Sequence, residues 1–296
     1  AERAGGWGGS QVESAFGCDI VAPSAPPRRL LGAEKVSLVG ISYGTHLALA
    51  ILKRHPSSIE RAVLASVEGL DETVKLPERT DAFFARLQKT IDADPEVAKV
   101  YPDIVGTMRR VHKRLASRPA TVTVKDAAGR ERQVTFGLFE LQLLVSGSIS
   151  DPPRSSTLPA LYSMMDRGDY SQAAALISQP LQTPRIRISG MAEAMDAASG
   201  ISPQRARRVA RQAKTSLLGD ALNFPIPHID AAVLGVPDLG EAFRQPVTSD
   251  VPTLFLSGTL DGRTYPERAA EIASRSSRAT RLIVENGGHN ILEADP

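Results

Sequence analysis

Residues 35–54 read KVSLVGISYGTHLALAILKR, and the order of residue types in that stretch decides the fold. Lys35–Val39 is a short β-type run bounded by turn signals. Residues 44–54 give a helix whose apolar positions nearly surround it, so it is expected to be buried on most sides. At the junction stands Gly40-Ile41-Ser42-Tyr43-Gly44, a G-x-S-x-G sequence. Such a match arises by chance in roughly one chain in ten of this length, so its place between strand and helix is what gives it meaning. A nucleophile on so tight a turn has strained backbone angles. Its neighbours two before and two after lie close, leaving no room for a Cβ at Gly40 or Gly44. The turn lifts the Ser42 hydroxyl out of the sheet, and the Tyr43 N–H at the helix start is the expected oxyanion donor.

Working outward, residues 61–65 (RAVLA) read as a second buried strand, and two strands joined by a helix imply parallel pairing. From Asp71 to Gln245 helical patterns dominate, in residues 80–92, 102–117, 158–178 and 202–223. A hairpin, ATVTVKDAAGRERQVTF, interrupts them with its turn near Asp126–Gly129. After Val251 the α/β texture returns, with a strand at 252–257 (PTLFLS), a helix at 266–276 and a strand at 280–285 (TRLIVE). The expected organisation is an irregular segment over 1–34, an α/β core from 35–70 and 246–296, and a mainly helical cap over 71–245.

A serine hydroxyl needs a base beside it, and the base needs an orienting carboxylate. His289 follows a strand and a Gly-Gly pair in ENGGHN, at the strand end where open parallel sheets bind ligands. Asp261 occupies the loop after strand 252–257, at the same edge. The chain order Ser42, Asp261, His289 is one that such catalytic sets adopt. Glu68, at the end of strand 61–65, is the competing acid and otherwise a pocket-lining residue. The remaining histidines have structural readings. His46 packs near the site, His55 faces a helix C-terminus and His112 falls on a basic helix face, while His228 in FPIPH could line a pocket.

Bulk properties narrow the classes. A formal charge of +2 over 296 residues gives no electrostatic case for nucleic acid or an anionic membrane as partner. A single cysteine, Cys18, excludes an intrachain disulfide and a Cys-rich metal site. No apolar run reaches a membrane span, and no signal peptide precedes the first strand. Cytoplasmic and exported locations both stay open, as does the oligomeric state. The expected partner is a small-molecule or peptide substrate, with no metal or organic cofactor.

The segments VSLVGISYGTHLALAILKRHP, VPTLFLSGTLDGRTYP and VENGGHN resemble the proline iminopeptidase and tripeptidyl aminopeptidase branch of the α/β-hydrolases. DADPEVAKVYPDI, RPATVTV and SLLGDALNFPIPHI resemble that branch's cap. The resemblance covers roughly residues 30–296 and implies an α/β-hydrolase core carrying a Ser42–Asp261–His289 triad. It also implies a bacterial enzyme that cleaves from a free peptide N-terminus. Two departures stand out: residues 1–34 show neither the strands nor the His-Gly-Gly type loop expected before the elbow, and the sequence stops soon after His289. They give the expectation of a truncated or frame-shifted gene product, or a fragment, whose elbow strand lacks a neighbour on one side and whose activity is low or absent.

An exopeptidase must hold a protonated α-amine, for which Glu68, Glu193 and Asp196 are the candidate carboxylates, solvated surface acids being the plainer reading. Met191 and Met195 could shape an acyl pocket instead, leaving a carboxylesterase as the alternative enzyme. A hydrolase-fold protein that binds without turnover is the non-enzyme alternative.

Overall fold

In a computed structural model that describes residues 32–125, 129–179, 190–226 and 229–292, strand β1 (Val36–Ile41) runs through Ser42 directly into helix α1 (Tyr43–Arg54). The irregular reading of 1–34 falls almost wholly outside the described residues. So do His228 and most of the hairpin turn. Strand β2 (Ile59–Ala65) pairs in parallel with β1. The hairpin strands β3 (Ala120–Lys125) and β4 (Glu131–Phe136) form a separate antiparallel pair. Strands β5 (Thr253–Gly258) and β6 (Ala279–Val284) complete a parallel sheet of order β1-β2-β5-β6. Parallel pairing brings every strand's C-terminal end to one edge. The turns after Ile41, Ala65, Gly258 and Val284 therefore open on the same side of the molecule. Among the described residues β1 has a partner on one side only, and Val39 on it is 71% exposed.

Helix α1 contributes Ala48, Leu49 and Leu52 to a hydrophobic cluster with Leu64 and Phe255 of the sheet. Ala269 and Ala273 join them from the helix Pro266–Ala273, which links β5 to β6. Each large apolar side chain removed from water there contributes about 1.5–3 kcal/mol before entropy is counted.

Between β2 and β5 the chain is mainly helical: α2 (Pro77–Asp92), α3 (Ile104–Ser117), α4 (Leu138–Ser146), α5 (Leu158–Asp166), α6 (Ser171–Ser178), α7 (Met191–Ser199) and α8 (Pro203–Ala213). Numbered in sequence, Pro266–Ala273 is α9. A second hydrophobic cluster runs through Phe83, Phe84, Met108, Leu141, Tyr162 and Met165, and Leu260 from the loop after β5 belongs to it. The periodic run 158–178 is two helices rather than one, because Gly168 turns left-handed at φ 94° and Asp169 Oδ1 accepts the Ser171 N–H at 2.9 Å. The run 202–223 likewise ends its helix at Ala213 and finishes as a 3₁₀ turn, Gly219–Asn223. Among the described residues no helix is long and apolar enough to cross a membrane.

His112 lies on the apolar face of α3, not on a basic one: it follows Met108 by four residues and precedes Leu115 by three, and all three are buried. Its Nε2 accepts from the Tyr162 hydroxyl at 2.7 Å, and burial lowers its pKa from 6.5 to about 4. The unfolded chain therefore takes up a proton near pH 6.5 that the folded chain refuses until about pH 4. The associated stability is complete above pH 6.5 and is lost as pH falls toward 4, a difference of about 3 kcal/mol. Urea midpoints should fall across that window, and His112→Gln should flatten the fall. The difference between the two proteins isolates His112 from carboxylates titrating nearby.

Candidate active site

Ser42 carries φ 54° and ψ −124°, a left-handed backbone that L-residues adopt only under constraint. The constraint is visible on both sides. Its N–H donates to Ala65 O at 3.1 Å, tying the junction to the end of β2. Its carbonyl accepts from the Thr45 N–H at 2.8 Å and the Thr45 hydroxyl at 2.6 Å. A Cβ on Gly40 would lie 2.6 Å from Gly44 O and 2.8 Å from Gly44 C, so no side chain fits there. A Cβ on Gly44 would meet nothing within 4 Å. The expectation of crowding at both glycines is therefore corrected: the close approach is Gly40 against the backbone of Gly44, and it requires only one of them. Tyr43 is the first residue of α1.

Asp261 is fully buried in a turn built around its own carboxylate. Oδ1 accepts the N–H groups of Arg263 (2.7 Å) and Thr264 (2.8 Å). Oδ2 accepts the Thr264 hydroxyl at 2.5 Å and the His289 Nδ1–H at 3.0 Å. That pairing leaves His289 Nε2 as the free ring nitrogen. His289 is held by its backbone as well: Ser66 donates to its carbonyl at 2.6 Å, and its N–H donates to Ser150 O at 2.8 Å. Asp151 then takes the Asn290 N–H at 2.9 Å, and Ile149 O takes the Gly262 N–H at 2.9 Å. Three consecutive residues of the helical segment thus brace both the acid loop and the histidine loop. Glycine makes the approach possible: a Cβ on Gly262 would lie 2.3 Å from Ile149 O, and one on Gly288 2.5 Å from Pro152 Cδ. Among the described residues Ser42 Oγ makes no hydrogen bond to His289, a contact that commonly tightens only with substrate bound.

A family model described as alpha/beta hydrolase fold matches residues 17–296. The chain belongs to that family. No curated protein matches it. Among solved structures it is similar to a serine hydrolase, CCSP0084, from Cycloclasticus zankles. The identity is 14%, covering 89% of this chain and 60% of that one, with a TM-score of 0.34. It is similar too to the meta-cleavage product hydrolase CumD of Pseudomonas fluorescens IP01, at 15% identity, covering 88% and 60%, TM-score 0.32. An esterase from Thermogutta terrifontis gives 12%, 88% and 61%, TM-score 0.29. The chain spans 60–63% of the length of the first such structures. At these identities and scores the family assignment rests on the match to the family model.

This member of the alpha/beta hydrolase fold family gathers its predicted carboxylates around one helix end. His46 on α1 donates from Nδ1 to Gly69 O (3.1 Å) and accepts at Nε2 from Ser199 (3.1 Å), and burial lowers its pKa, which keeps the ring neutral. Tyr43 stacks on that ring at 4.8 Å and its hydroxyl meets Ser199 at 3.3 Å. The last residue of α7 is thereby fixed beside the first turn of α1, with Asp196 and Glu193 on the preceding turns of the same helix. Burial raises the Asp196 pKa to about 7, with the charge of Glu68 the next cause and that of Glu193 a smaller one. Glu193 Oε2 is buried without a hydrogen-bond partner among the described residues. Glu68 is buried in an ion pair with Lys75. The surface-acid reading therefore fails for Glu68 and Asp196. Glu68 as acid partner of His289 also finds no support in the contacts, since Lys75 engages it instead.

Sequence reasoning missed Ser66, Ser199, Thr264 and the Ile149–Asp151 brace. Of these only Thr264 had a local signal, a hydroxyl residue three after an acid in a turn.

Proposed function

We propose that this chain carries the catalytic set of a serine hydrolase, with Ser42 as nucleophile, His289 as base and Asp261 as the group that orients it. The observation behind the reading is the 3.0 Å Asp261–His289 pair, at the same sheet edge as a serine in strained left-handed backbone. His289 Nε2 takes the Ser42 proton as Oγ attacks a carbonyl carbon, and the Tyr43 N–H meets the developing oxyanion. The imidazolium then protonates the leaving group, and water repeats the sequence on the acyl-enzyme. Residues 71–245 act as the cap over this edge.

An aminopeptidase acting on free peptide N-termini is the favoured activity. Asp196, Glu193 and Glu68 put more carboxylate than cation beside the first turn of α1, and a substrate ammonium is the charge that would satisfy them. Because Asp196 must ionise to hold that ammonium, KM for aminoacyl-4-nitroanilides should fall as pH rises through about 7. Asp196→Asn should raise that KM about 10- to 100-fold, the loss of one charge-assisted hydrogen bond, and remove its pH dependence. The apolar wall of Leu143 and Phe224 beside His289 favours the second reading, a carboxylesterase. Cleavage of 4-nitrophenyl acetate and butyrate with no cleavage of aminoacyl anilides would replace the first reading by the second.

A further inference from the structure

Arg263 follows Asp261 by two residues, and its backbone N–H is bound to the Asp261 carboxylate. Its side chain is half-buried and makes no ion pair or hydrogen bond among the described residues. Other arginines packed around the sheet are matched: Arg86 by Glu267, Arg244 by Asp238, and Arg268 by Glu72 and Glu271. A guanidinium drawn partly out of water without a counter-charge loses hydration and gains nothing in return, unless an anion arrives. Arg263 lines a cavity of about 370 Å³ together with His289, Ser146 and Ser150 and the apolar Leu143, Leu222 and Phe224. The carboxylates of α7 do not fill its coordination. Arg263 lowers the Asp196 pKa through space, behind burial, Glu68 and Lys75 in effect, with no contact within salt-bridge distance.

We propose that Arg263 binds a carboxylate of the substrate on the leaving-group side of the bond being cut. The inference rests on the reading of His289 as the group that protonates the leaving atom. When a peptide bond is cut and a single amino acid leaves, its carboxylate is attached to the carbon next to the departing nitrogen. A cation sharing a cavity wall with His289 is placed to receive it. The apolar residues of the same lining accommodate the side chain of that residue. The preferred substrates are therefore short peptides ending one residue beyond the scissile bond. Longer or C-terminally amidated peptides forgo the contact.

The test pairs a binding measurement with a turnover measurement. Calorimetric titration with L-phenylalanine and L-phenylalaninamide reads the carboxylate alone. The acid should bind the wild-type protein at least about 10-fold more tightly, the scale of one charge-assisted hydrogen bond. That preference should vanish in Arg263→Gln, survive in part in Arg263→Lys and persist in Ser42→Ala. Equal binding of acid and amide by the wild type overturns the proposal, as does a preference that survives in Arg263→Gln. Equal thermal midpoints for Arg263→Gln and wild type show that the variant is folded. In turnover, kcat/KM for a dipeptide over its C-terminal amide should show the same ratio and the same collapse in Arg263→Gln. If esters are cut and peptides are not, the aminopeptidase reading falls while the titration still decides the role of Arg263.

Discussion

Ser42→Ala should abolish covalent labelling by a fluorophosphonate and reduce turnover by about 10,000-fold or more. Intact mass before and after treatment reads the first effect. Wild type should gain one adduct and the variant none. The size of the loss follows from the role: without Oγ no acyl-enzyme forms, and what remains is whatever rate binding and the Tyr43 N–H confer on attack by water. The backbone supplies a control. At φ 54° alanine is as strained as serine, so Ser42→Ala leaves the strain in place and should change stability little. Ser42→Gly removes the same hydroxyl and also relieves the strain, so it should be inactive yet more stable, by about 1 kcal/mol. Such a gain would show that the junction holds stored strain for the sake of the hydroxyl. An adduct that persists in Ser42→Ala would place the reactive group elsewhere.

The parts of this fold that could be read from the sequence are those with short, strict local rules. The run KVSLVGISYGTHLALAILKR contains a strand, a turn and a helix with no spare residue between them, so its period change and its glycines leave one reading. The same holds for PTLFLSGTLDG and TRLIVENGGH, where a strand, buried in the first and largely exposed in the second, meets a turn rich in small residues. Chain order, with the rule that parallel strands share one functional edge, is enough to bring Asp261 and His289 together from the sequence.

What stayed hidden depends on contacts distant in sequence. Ser199 lies 153 residues from His46, and nothing near either residue announces the other. The Ile149–Asp151 brace works through backbone groups, which any sequence could supply, so only the tight glycines at 262 and 288 mark where it touches. Helix α4 escaped because LFELQLLVS is apolar on nearly every side and shows no amphipathic stripe. His112 was misplaced for a related reason: its basic neighbours dominate the linear reading, while its own face is set by Met108 and Leu115. The same logic misjudged the acids. Glu68 and Asp196 look like ordinary surface carboxylates until the fold buries the first against Lys75 and half-buries the second on α7.

Asp261→Asn should lower kcat by about 10,000-fold while leaving the protein folded. The turn around Asp261 makes the expected geometry of the variant specific. Two N–H groups, from Arg263 and Thr264, bind one oxygen at 2.7 and 2.8 Å, and only an acceptor can satisfy them. The asparagine carbonyl oxygen must therefore take that position, which turns its NH₂ toward Thr264 and His289. An NH₂ facing Nδ1 donates where the carboxylate accepted. The imidazole then carries its proton on Nε2, the nitrogen that has to take the proton from Ser42. The lesion is one of tautomer, not of position. NMR of the ring nitrogens should report protonation at Nε2 in the variant and at Nδ1 in the wild type, and fluorophosphonate labelling should slow in parallel with turnover. Asp261→Ala is a poorer test, because it leaves both N–H groups unsatisfied in a site with no water access and should destabilise the loop by about 1–3 kcal/mol for each. If Asp261→Asn retained full turnover with Nδ1 still protonated, another acceptor would have to orient His289. Thr264, whose hydroxyl lies 3.5 Å from Nδ1, would be the residue to change next.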